Sequence, residues 1–170
     1  MAGRCIKFEG LPLIFACPIM EGANGVVRLS SPTTVIKTCR KKATGYSALE
    51  QRDIHRIACT ILANPSYTVL KTPFLVDGPF YEMQKVDCDD PFFLANPETV
   101  PHGVDVDKVT SELVAFWKSM WAAGHAAWDF ELYLQKDGSV MILDYDKYKK
   151  KVEPGFFIHP SFPRNFEELL

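Results

Sequence analysis

The stretch GSVMILDYDKY, residues 138–148, runs small and apolar residues straight into Asp144, and a second acid, Asp146, follows two positions later. Val140 to Leu143 have the aliphatic, partly β-branched character of a buried strand. Carboxylates are almost never left buried without a partner. Asp144 therefore either stands at a strand mouth facing water or holds something positive, and the rest of the chain decides between these.

Upstream of this stretch, FELYL (130–134) and the Lys136-Asp137-Gly138 turn complete a hairpin with residues 139–143. Before it, Val109, Leu113, Phe116, Trp117, Met120 and Trp121 recur at helical spacing and predict a helix over 107–123, with Gly124 as its stop. Residues 88–107 carry four aspartates and three prolines and read as a linker. Towards the start, GVVRLS (25–30) and TTVIKTC (33–39) flank a Ser-Pro turn and predict a second hairpin. A helix over 47–63 follows, marked by Ile54, Ile57, Ala58 and Ile61 and ended by Asn64-Pro65. Two strand candidates, 67–78 and 80–87, meet at Gly78-Pro79. The order β-β-α-β-β, linker, α, β-β, tail predicts an α+β chain of two lobes with a cleft between them.

The chain has 170 residues, 47% hydrophobic and 12% aromatic, enough for a core of ordinary size, and its formal charge of -2 gives no global pull towards nucleic acid or membrane. The five cysteines (5, 17, 39, 59 and 88) are odd in number, widely spread and without a C-x-x-C pair, as expected of free thiols in a reducing, cytoplasmic compartment. The apolar run LPLIFACPIM (11–20) is broken by two prolines and too short to span a bilayer. His55, His102, His125 and His159 are scattered, and no G-x-S-x-G or metal-protease helix is present.

Four local signals, in this order, resemble the protein kinase-like superfamily. EGANGVVRL (21–29) is similar to the glycine-rich loop, with Gly22, Gly25 and Val27 in register and Met20 where the first glycine would stand; Asn24-Gly25 is equally a common hairpin turn. VIK (35–37) is similar to the strand whose lysine contacts the nucleotide phosphates, here Lys37. Glu50 on the next helix is the candidate partner of that lysine, with Asp53 as a lesser one, although Ser47-x-x-Glu50 is also a capping box. ILDYD (142–146) resembles the segment whose aspartate binds magnesium, with Tyr145 and Asp146 in place of Phe and Gly.

The resemblance covers residues 18–148 and implies a two-lobed kinase-like fold in reduced form: a small antiparallel sheet with one helix (1–87), a linker (88–107), and a truncated second lobe (108–170). It implies ATP and Mg2+ as cofactors. Gly22, Gly25 and Val27 would cover the phosphates, Lys37 would polarise them, Glu50 would hold Lys37, Glu131 and Asp144 would bind magnesium, and the adenine would lie against Glu82 to Val86, including Gln84. The catalytic loop departs from the pattern, because the expected base falls on Ala126 and the expected asparagine on Glu131, which leaves Asp129 to orient or deprotonate the acceptor. Two functions follow as expectations: a minimal phosphotransferase acting on a protein or small-molecule hydroxyl, or a pseudokinase-type module that docks on a protein partner without catalysis. The linker and tail aromatics (Phe92, Phe93, Phe156, Phe157, Phe162 and Phe166) would be either partner anchors or core cover. A third reading is an α+β domain unrelated to kinases.

Overall fold

The computed structural model describes residues 18–21, 25–39, 47–86, 90–127, 130–145 and 148–150. The chain is α+β: the described residues form nine short strands, two helices and one 3₁₀ turn. The first three strands, β1 (Pro18–Glu21), β2 (Gly25–Leu29) and β3 (Thr34–Cys39), form an antiparallel sheet with β5 (Glu82–Gln84) on its far edge, in the order β1-β2-β3-β5. The register pairs Gly25 with Cys39, Val27 with Lys37, and Val35 with Met83. Directly opposed residues share a face, so Gly25, Val27, Val35 and Lys37 lie on one side of this sheet, and Ile36, Glu82 and Gln84 on the other.

Helix α1 (Ala48–Leu62) starts at a complete capping box, in which the Ser47 side chain accepts from the Glu50 N–H and the Glu50 carboxylate accepts from the Ser47 N–H at 2.8 Å. Its buried stripe is Gln51, Ile54, His55, Ala58 and Leu62, turned from the Ile57 and Ile61 positions, which only flank the core. The segment after it, expected to be a long strand over 67–78, makes only β4 (Leu70–Lys71). The reason is chemical. The buried Glu112 carboxylate takes the N–H groups of Thr68, Val69 and Leu70 at 2.7 to 3.0 Å, and Pro73 has no N–H to give. Residues 74–76 still meet β5 through a Leu75–Met83 bridge.

Helix α2 (Val106–Ala122), capped by the Asp105 side chain, buries Val109, Leu113, Phe116 and Met120 and ends where Gly124 takes φ 88. Strands β7 (Glu131–Leu134) and β8 (Val140–Leu143) form the expected hairpin, turned at Gly138 with φ 83, and β8 also pairs in parallel with β4. Strands β6 (His125–Ala127) and β9 (Tyr148–Lys150), which no sequence signal announced, pair antiparallel beside α2. The core is shared by both halves of the chain: Ile54, Ala58 and Leu62 of α1 pack with Val109, Leu113 and Phe116 of α2 and with Leu132, Val140 and Ile142 of the hairpin. The 88–107 stretch joins it, with Phe92 1% exposed and bridged to Leu132, so Phe92 covers core.

Candidate functional site

Lys37 leaves the middle of β3 on the face that looks towards α1, and its position there follows from the alternation that buries Val35 two residues earlier. Asp144 is the first residue after β8. Its ammonium and carboxylate partners meet across 107 residues of sequence: Lys37 Nζ donates to Asp144 Oδ1 at 3.1 Å, with side chains 14% and 28% exposed. The acid that ends the buried strand thus holds a cation of the chain itself. Asp144 is also the non-glycine residue with a left-handed backbone, φ 70, among the described residues. Aspartate enters that region more readily than most side chains but still at a cost of order 1 kcal/mol, and such strain clusters where a side chain has to be aimed.

The next residue fixes that aim. Tyr145 is 1% exposed and drives its ring under α1, stacked on His55 with centroids 4.6 Å apart and planes at 19°. The Tyr145 hydroxyl lies 2.7 Å from Thr72 Oγ1, which lies 3.0 Å from His55 Nε2 and 3.4 Å from the Ile142 carbonyl. His55 Nε2 is 2.8 Å from the Pro73 carbonyl, and Nδ1 is 3.1 Å from the Tyr81 hydroxyl. A carbonyl only accepts, so Nε2 carries the proton and Nδ1 accepts from Tyr81. Burial, opposed by the Pro73 carbonyl and reinforced by the nearby Lys37 charge, pushes the His55 pKa down to about 4. The imidazole is therefore neutral near pH 7.

Of the other sequence candidates, Gly25 and Val27 share the sheet face of Lys37. Gly25 opens β2, and a Cβ there would sit 2.8 Å from the Thr38 carbonyl and 3.7 Å from Lys37 Cε; the close approach of β3 demands glycine. Glu50 caps α1, and the ion-pair partner of Lys37 among the described residues is Asp144 rather than Glu50. Asp53 meets Arg52 and Arg56. The Glu82 carboxylate accepts from the Ser30 and Thr34 hydroxyls on the sheet face away from Lys37, and Gln84 shares that face. The Glu131 carboxylate accepts from the Tyr133 hydroxyl at 2.6 Å. Gly22, Asp129, Asp146 and the tail aromatics lie outside the described residues. Among the described residues, no group of three or more His, Cys, Asp or Glu side chains is placed to hold a metal ion, and no helix is long and apolar enough to cross a membrane. The Cys39 sulfur accepts from Gln51 Nε2 at 3.2 Å, and Cys59 is a free thiol.

No family model matches this chain, and neither does any curated protein. The site therefore stands on its own geometry. What the sequence missed is His55. It falls on the buried stripe of α1 at the same spacing as Gln51, Ile54 and Ala58, and a polar residue inside an apolar helical stripe is the signal that marks it. A groove of about 550 Å³ lies between Arg56, Cys59 and Thr60 of α1 and the 71–77 segment, and its lining includes neither Lys37 nor Asp144.

Proposed function

We propose that this chain is a reduced kinase-like protein that binds a magnesium-bound nucleoside triphosphate at Lys37 and Asp144. The observation that carries the reading is the Lys37–Asp144 contact between a strand of the front sheet and the end of the rear hairpin. The donor set fits such a ligand: an ammonium for phosphate oxygens and a carboxylate, a hard oxygen donor, for magnesium. The pair is partly exposed, so each member can exchange the other for a ligand atom. The strained backbone at Asp144 supports the same reading, because it aims a carboxylate that packing alone does not require. The two-lobed arrangement belongs to this proposal. In it Lys37 holds the phosphates, Asp144 holds the metal, and Val27 covers them from the same sheet face. The bound metal would neutralise charge on the phosphates.

A binding module without catalysis is the second reading, and one observation favours it. The face of α1 turned towards Lys37 carries the neutral, fully buried Gln51 and His55, while Glu50 is engaged at the helix start. Lys37 thus lacks the helix carboxylate that would hold it once Asp144 turned to a metal.

Thermal unfolding with saturating Mg-ATP tests the proposal. Binding at 100-fold excess over Kd should raise Tm by about 5 °C or more, and Lys37→Ala or Asp144→Ala should abolish the shift. Phosphoryl transfer from labelled ATP then separates the readings: transfer lost in both variants identifies an enzyme, and binding without transfer identifies the module. Absence of any nucleotide effect on the wild-type chain removes the proposal.

A further inference from the structure

His55 is fully buried, titratable, and unused by the proposed chemistry. Its contacts close a circuit. The Lys37 N–H donates to the Tyr81 carbonyl at 3.0 Å, and the Tyr81 hydroxyl reaches His55 Nδ1. On the other side His55 meets Thr72 at Nε2 and stacks on Tyr145, and Thr72 holds the Tyr145 hydroxyl. Tyr145 is covalently next to Asp144, which returns to Lys37 Nζ. One imidazole on α1 is therefore tied to the backbone of the lysine and to the residue that follows the aspartate, and its own hydrogen-bond partners are Tyr81, Thr72 and Pro73.

We infer that His55 is a positioning residue, which sets the Lys37–Asp144 contact by anchoring Tyr81 on one side and Tyr145 on the other. Neutral imidazole suits this task because it accepts at one nitrogen and donates at the other, which bridges a hydroxyl to a carbonyl across a single ring. Leucine would fill the space and serve neither partner. The Thr72 hydroxyl completes the set, since it can accept from Tyr145 while donating to the Ile142 carbonyl, so the hydroxyls between α1 and the hairpin have partners. Satisfied buried networks of this kind specify one arrangement, because any other leaves a desolvated polar atom unpaired.

The test reads the lysine directly and needs no nucleotide, so a chain that binds no Mg-ATP would leave its outcome standing. Competitive trace acetylation with acetic anhydride, followed by mass spectrometry, gives the Lys37 rate relative to exposed Lys136. Asp144→Asn, which removes the carboxylate charge, should raise that ratio and sets its upper reference. Tyr81→Phe and Tyr145→Phe, which remove one hydroxyl each and keep the packing, should each raise it about fivefold, the worth of one hydrogen bond. His55→Leu should raise it further. Leu113→Ala, a core truncation on α2 away from the circuit, should lower Tm and leave the ratio unchanged. The inference is overturned if the folded Tyr→Phe variants stay within about twofold of wild type, less than one hydrogen bond is worth. It is overturned equally if Asp144→Asn has no effect, or if Leu113→Ala raises the ratio as much as the circuit variants do.

Discussion

Glu112 and Asp144 place a carboxylate beside a core in two different ways. Glu112 is 5% exposed and satisfied by the chain's own backbone, with three N–H groups and the Thr68 hydroxyl donating to it. Burial alone would raise its pKa, but the bonds from Leu70, Thr68 and Val69 hold it down to about 2. Glu112→Gln keeps the shape but turns an NH2 group towards those donors. It should cost about 3 kcal/mol in urea unfolding, the scale of unpaired buried donors to a lost charge. Asp144 meets the Lys37 ammonium at 3.1 Å from a strained backbone, at a strand end rather than inside the core. At this scale much was legible: an acid at the end of an apolar run announced Asp144, and a lysine one strand after a glycine pair announced Lys37. The position of His55 in an apolar stripe could be read, but its role could not, because that depends on Thr72, Tyr81 and Tyr145, which only the fold brings to it.

Among the elements, α1 shows two readings of one residue being separated. Glu50 was open as a cap or as the partner of Lys37, and the described contacts give it to the cap. Two substitutions check this. Ser47→Ala should lower unfolding free energy by about 1 kcal/mol. Glu50→Gln should cost no more than about 0.5 kcal/mol, since glutamine also closes a capping box. The long helices and the β7–β8 hairpin were readable from period and turn chemistry, and their ends fall within a residue or two of expectation. The expected strand over 67–78 shrank to Leu70–Lys71 because a side chain from α2, distant in sequence, took its donors. Strands β6 and β9 are three residues each, too short to carry a period.

For the whole molecule, buried His55 and Glu112 predict acid sensitivity. The folded pKa of His55 is depressed from 6.5 to about 4, so the unfolded chain binds more protons between those values and stability falls as pH drops through that window. The loss is about 3 kcal/mol, complete near pH 4. Glu112 is depressed from 4.5 to about 2, so its contribution is present above pH 4.5 and disappears below it. Urea unfolding from pH 8 to 3 should therefore show constant stability above about pH 7 and a first decline beginning near 6.5. His55→Gln should remove that first decline and keep the fall below 4.5. Uniform pH dependence in both proteins would contradict the buried neutral imidazole.

The 107-residue separation between Lys37 and Asp144 has a kinetic meaning. Such a contact closes a loop of most of the chain and must await the local hairpins and helices, since loop-closure entropy is met before a distant pairing gives anything back. The parallel β4–β8 pairing sits under the same constraint. A ribosome-bound chain that has not yet released β8 holds Lys37 with no counter-charge, so pulse-quenched refolding should find this amine the last to become protected.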